Sequence, residues 1–127
     1  MNNMKIWLGN NLDEKEVYAG LILLPDFKFY HLALLPAKSD KDLNWNGAMA
    51  WAKTNGGDLP TRREQLLLFA NCQEHFEQRW HWSNTQHADE SDYAWVQHFG
   101  NGGQSYGRES YKARARAVRR VYLESEK

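Results

Sequence analysis

Cys72 and four of the five histidines, His75, His81, His87 and His98, are the side chains best suited to hold a transition metal. Zinc and its relatives need ligands at short, fixed intervals, and these residues match no standard spacing. Scattered surface or core histidines are the expectation. Asp89, Glu90 and Asp92 form an acidic cluster. A calcium site needs several carboxylate and amide oxygens converging on one ion, so this cluster reads as a solvated loop. Gly100-Asn101-Gly102-Gly103 has a phosphate-loop look but precedes no helix, and reads as a hairpin turn. No Gly-x-Ser-x-Gly elbow occurs. No catalytic set, metal site or cofactor is therefore expected, and the chain reads as not an enzyme.

Binding chemistry has more to draw on. Arg108, Lys112, Arg114, Arg116, Arg119 and Arg120 lie close together with Tyr106 and Tyr111. Cations interleaved with aromatics could grip phosphates and stack bases. In a strand the arginines divide between two faces, which splits the patch. Trp80, His81, Trp82, Gln86, His87, Tyr93, His98, Tyr106 and Tyr111 form a second set. Rings of this kind anchor partners when exposed and fill cores when buried.

Composition sets the frame. The 127 residues suffice for one domain with its own core, and 42% hydrophobic content excludes a disordered chain. The formal net charge is zero but uneven. Residues 1–107 carry 9 Lys and Arg against 13 Asp and Glu, and residues 108–127 carry 7 against 3. Neutralisation of the basic end within the fold is the expectation, with an acidic partner or nucleic acid as the alternative. Cys72 is the only cysteine, so no internal disulfide forms, which suits a reducing compartment. As a residue of a helix it reads as a buried, inert thiol. No basic-then-apolar leader opens the chain, and apolar runs such as Leu21 to Pro25 are far too short to span a bilayer. A cytoplasmic location without membrane contact is expected.

The elements that would carry these residues follow from periodicity. Met4–Leu8 reads as a short strand and Asn10 to Glu14 as a polar turn. Val17–Leu24 and Phe27–Leu35, parted by Pro25-Asp26, read as a β-hairpin whose second strand is buried on both faces. A first helix runs from about Leu43 to Thr54, capped by Asp42 or Asn44 and ended by Gly56-Gly57. Its core stripe is Trp45, Ala48, Met49 and Ala52. Thr61 and Glu64 form a capping box that starts a second helix, with Leu66, Phe69, Ala70 and Phe76 as its apolar stripe and Arg62, Arg63, Gln73 and Glu74 solvated. Trp80–Ser83, Tyr93–Phe99 and Ala113–Leu123 read as strands. A hairpin, two helices and irregular strands make an α+β order.

Five segments in this order resemble a C-type-lectin-like domain: Trp45-Asn46-Gly47-Ala48, Gly57-Asp58-Leu59-Pro60-Thr61-Arg62-Arg63-Glu64-Gln65-Leu66, Trp82-Ser83-Asn84-Thr85, Tyr93-Ala94-Trp95-Val96 and Ala115-Arg116-Ala117-Val118-Arg119. More narrowly, the chain is similar to the Lcl C-terminal domain family, a group of mostly uncharacterised bacterial and phage modules related in fold to the formylglycine-generating enzymes. The similarity covers about residues 43–122. It implies antiparallel strands that bring the termini together, and a structural role for Leu59-Pro60, Arg116 and Arg119. The calcium signatures Glu-Pro-Asn and Trp-Asn-Asp of sugar-binding lectins are absent, and one cysteine cannot supply the pair that formylglycine chemistry needs.

Together these readings predict a small binding module of phage or prophage type that docks on a host protein, with inhibition of a defence complex such as CRISPR as a candidate role. Partner contact is assigned to Trp80, His81, Trp82, His87, Tyr93, Tyr106 and Tyr111. A glycan-binding module is one alternative. A nucleic-acid binder using the basic patch Arg114, Arg116 and Arg120 is the other.

Overall fold

The computed structural model describes residues 3–122. Three helices and six strands make an α+β fold: α1 (Asn3–Asn11), β1 (Val17–Leu23), β2 (Phe29–Lys38), α2 (Trp45–Thr54), α3 (Arg62–Cys72), β3 (Trp80–Gln86), β4 (Tyr93–His98), β5 (Gln104–Arg108) and β6 (Arg116–Tyr122). The strands form two antiparallel three-stranded sheets, ordered β1-β2-β6 and β3-β4-β5. Leu123, expected in the last strand, lies outside the described residues.

The hairpin forms as expected, with Leu23 opposite Phe29. Its turn holds Asp26 (φ 65°) and Phe27 (φ 62°) in the left-handed region. Residues 30–35 of β2 are all buried, because both sheet faces are covered there. Asn44 caps α2, its side chain accepting the Gly47 N–H at 2.8 Å. Glu64 N–H donates to Thr61 Oγ1 at 3.0 Å and Thr61 N–H to Glu64 Oε1 at 2.9 Å, which completes the capping box.

Three expectations change. Met4–Leu8 belongs to helix α1, not to a strand. A strand there would need a free stretch of sheet edge, and the edges nearby are partly taken. Asn71 Nδ2 on α3 donates to Ala19 O at 2.6 Å and Arg63 Nη1 to Leu23 O at 2.7 Å, which engages the outer edge of β1 at two carbonyls. Asp58 exchanges both backbone bonds with Val118, which engages β6 at that residue. The segment winds into a helix instead and rests Trp7 on His31, ring centroids 4.1 Å apart. Second, Gln104–Arg108, to which the periodicity assigned no element, is a strand, β5. Third, α3 is rotated. Leu66 (52% exposed) and Ala70 face solvent, while Glu64, Gln65, Leu68 and Cys72 are buried.

The rotation follows from partners that reach the polar pair, although Gln65 Oε1 meets no hydrogen-bond donor among the described residues. Gln65 Nε2 donates to His81 O at 3.2 Å, and Gln97 Nε2 donates to Gln65 O at 2.7 Å. Glu64 accepts from Tyr30 and from Arg120 Nε and Nη2. Buried polar groups held in this way are tolerated. Two apolar clusters result. One gathers Trp45, Ala48, Ala52, Leu59, Trp82, Val96 and Ala113, Ala115 and Ala117. The other gathers Ile22, Tyr30, Leu32, Leu34, Leu68, Cys72, Phe76 and Phe99.

Candidate binding surface

Alternation along β4 sends Ala94 and Val96 into the core and Tyr93 and Trp95 to the opposite face. β5 pairs Trp95 with Tyr106 and Tyr93 with Arg108. His87, just past β3, donates its backbone N–H to Tyr93 O at 2.8 Å, which brings its ring to the same face. The rings of His87 and Trp95 stack at 5.4 Å. Tyr106 lies 4.5 Å from His87, 5.3 Å from Trp95 and 5.7 Å from Tyr93. Tyr106 is 49% exposed.

α3 covers the other half of this face. Gln104 Nε2 donates to Arg62 O and to Gln97 Oε1, each at 2.9 Å, and Arg62 Nε donates to Gln104 Oε1 at 3.1 Å. These bonds lay the Arg62 guanidinium on the Trp95 ring, 3.4 Å from its centroid. Arg108 sits 5.2 Å from the Tyr93 centroid. A cation over an aromatic face is attracted by the ring quadrupole. Among the described residues, neither Arg62 nor Arg108 forms a salt bridge, whereas Arg79, Arg114, Arg119 and Arg120 all do. The face is thus a half-exposed aromatic cluster with two cations that lack carboxylate partners.

His87, Tyr93 and Tyr106 of the expected contact set meet here. Trp95 and Arg62 were not assigned to it. The large Tyr93 and Trp95 alternating with the small Ala94 and Val96 was the available signal; Arg62 gave none. Tyr111 is 62% exposed beside Gly107, at the rim. Trp80, 41% exposed, stands apart, edge-on to His98 at 5.1 Å in a cleft with Asp42, Arg79 and Lys112.

Two residues assigned to partner contact are interior. Trp82 is 1% exposed, and its indole Nε1 donates to Leu43 O at 2.7 Å. Trp45 Nε1 reaches back to Ser83 O at 2.8 Å. Both indoles can be buried because each N–H has a carbonyl. His81 is 3% exposed, edge-on to Phe76 and Phe99, with Nδ1 3.0 Å from Arg79 O. Burial pulls its pKa down to about 4, so the ring is neutral at pH 7.

The basic patch is engaged by internal bonds, with Arg116 buried and Arg114 and Arg120 half-buried. Arg116, 5% exposed, donates to Ala37 O at 3.1 Å, Leu35 O at 3.0 Å and His75 O. Arg120 bridges Glu64 and Asp58 at 2.6 and 2.9 Å. Arg114 donates to Ser39 O at 3.1 Å, and its Nε faces Asp42 and Glu77 at 3.1 and 3.3 Å, close in distance but outside hydrogen-bond angles. Arg119 is paired with Glu16 at 2.7 Å and also binds Asn11 O, joining β6 to the end of α1. Burial pushes the Glu64 carboxyl upward, but the bonds from Arg120, Tyr30 and Thr61 outweigh it and hold the group below its usual value.

No protein-family model matches the chain, and no curated protein is significantly similar to it. The chemistry of the surface must therefore come from its own geometry. Among the described residues, no three His, Cys, Asp or Glu side chains converge as metal ligands, and no helix is long and apolar enough to cross a membrane. Cys72 is fully buried, and burial pushes its thiol up to about 11. It is protonated and inaccessible at neutral pH.

Proposed function

We propose that this protein is a non-enzymatic binding module of C-type-lectin-like design that docks on a protein partner through the aromatic face of β4 and β5. The observation that carries the reading is the joining of His87, Tyr93, Trp95 and Tyr106 under two cations without carboxylates. Aromatic and arginine side chains dominate the energetics of protein interfaces. Arg62 already occupies a face of Trp95, which disfavours sugar or base stacking there and leaves ring edges, hydroxyls and cations for a mixed protein surface. The nucleic-acid alternative loses Arg114, Arg116 and Arg120 to internal bonds. The resemblance to phage and bacterial modules supports a phage-type product acting in the cytoplasm on a host protein, a defence complex such as CRISPR among the candidates.

The test is quantitative capture from bacterial lysate with the wild-type chain and a Tyr106→Ala/Arg108→Ala variant. A stoichiometric protein should bind the first and lose at least about 2 kcal/mol of affinity for the second. A glycan array that gives calcium-dependent hits, or binding to nucleic acid that collapses with added salt, would replace this reading with the corresponding alternative.

A further inference from the structure

Sheet edges carry unpaired backbone donors and acceptors, and folded proteins cover them. In this fold three of the four edges are engaged by other parts of the chain. Arg63 and Asn71 bind two carbonyls of β1, Leu23 O and Ala19 O, and Asp58 pairs with Val118 on β6. The Arg114 backbone exchanges bonds with Trp80 and Trp82 on β3. The fourth edge, β5, is different. Beyond its ladder to β4, Gln104–Gly107 make no backbone hydrogen bond with the described residues.

The register identifies which groups are open. His98 N–H donates to Gly103 O at 2.9 Å, while Tyr93 O accepts from His87 and Trp95 O from Ser83 Oγ on the β3 side. Antiparallel bonds alternate, so Ala94 and Val96 face Gly107 and Ser105 across β4–β5. The N–H and C=O of Gln104 and Tyr106 then point outward, as Arg108 O does, where Tyr111 N–H closes it at 2.9 Å. The side chains of Gln104, Tyr106 and Arg108 stand on the aromatic face, opposite Gln97, Trp95 and Tyr93.

We propose that β5 is a strand-addition site. An extended segment of the partner protein pairs with Gln104 and Tyr106 and lays alternate side chains beside Tyr106 and the two uncompensated arginines. The inference rests on the docking reading above and specifies its mode. Backbone pairing supplies affinity, and alternate side chains supply choice. Complementarity favours a carboxylate towards Arg62 or Arg108 and an apolar or aromatic residue beside Tyr106. A second copy of this chain is the poorer occupant, because it would bring the same unpaired cations to the same face.

The test starts from linear peptides selected against the intact protein from a random displayed library. The selected peptide is synthesised in N-methylated forms, one residue at a time. Methylation at alternate positions should weaken binding about tenfold or more, through lost backbone bonds, and methylation between them should be nearly silent. Amide exchange of Gln104 and Tyr106 should slow on binding. The proposal is overturned if the library yields no binder, if both methylation parities behave alike, or if the β5 amides are unaffected. A peptide or captured protein that depends on Tyr106→Ala but leaves those amides exchanging freely sinks strand addition while preserving the docking face. Dimerisation in the ultracentrifuge that protects the same amides would assign the edge to a second copy and overturn the proposal.

Discussion

Glu64 and His81 show how much of this molecule is decided by single buried polar groups. Glu64 is 0% exposed and meets Arg120, Tyr30 and the Thr61 N–H. Removing Arg120 leaves a buried charge without its main partner, so Arg120→Ala should cost about 3–5 kcal/mol in urea unfolding. Arg116→Ala should cost about 3 kcal/mol, since three carbonyls lose a charged donor. His81 adds a pH dependence. Its pKa is lowered from 6.5 to about 4 by burial, so the unfolded chain binds the extra proton first as pH falls. The stability from the neutral ring is complete above about pH 6.5 and drains away towards pH 4, by about 3 kcal/mol. Urea midpoints measured across that window should fall in the wild type and flatten in His81→Phe. An equal slope in both would show that His81 does not titrate as its burial requires.

At the scale of elements, α3 carries the clearest lesson. Its capping box was legible because Thr61 and Glu64 sit at the required spacing and Pro60 isolates them from the preceding chain. Its orientation was not. Apolar periodicity pointed to Leu66, Phe69 and Ala70, but partners from β2, β3, β4 and β6 bury Glu64 and Gln65 instead. Leu68→Ala should therefore cost about 2–5 kcal/mol, while Leu66→Ala at an exposed site should stay within about 0.5 kcal/mol. Equal costs would mean the helix faces the core as its hydrophobic pattern suggests. Thr61→Ala should cost about 1–2 kcal/mol by removing the cap. β5 escaped notice because Gln104-Ser105-Tyr106-Gly107-Arg108 is polar and exposed on average, so no alternation marks it. Pairing with β4 makes it a strand.

For the whole molecule, the arginines near the C-terminal end divide by task. Arg114, Arg116, Arg119 and Arg120 tie β6 and its approach to α1, α3 and the long connections. Arg108 stays at the aromatic face with Arg62, without a salt bridge among the described residues. Three of the seven cations in residues 108–127, Arg114, Arg119 and Arg120, thus meet carboxylates from the earlier part of the chain. Tyr106→Ala and Arg108→Ala should leave the unfolding midpoint within about 0.5 kcal/mol of wild type, because neither side chain is buried. A large loss of stability in either would make the surface a structural cluster and remove its role in docking.

What this sequence determined by itself was local: the hairpin about Pro25-Asp26, the Asn44 and Thr61 caps, the Trp45–Ala52 stripe and the α+β order. Each depends on groups a few residues apart, whose geometry the backbone imposes. The site was only partly legible, through His87, Tyr93 and Tyr106. Tertiary structure alone decided that Trp82, His81 and Arg116 are interior, and that Arg62 rests on Trp95. It also decided that β5 has no strand neighbour beyond β4 among the described residues. Those outcomes depend on which distant carbonyls, carboxylates and rings arrive to satisfy a side chain, and spacing along the chain carries no record of that.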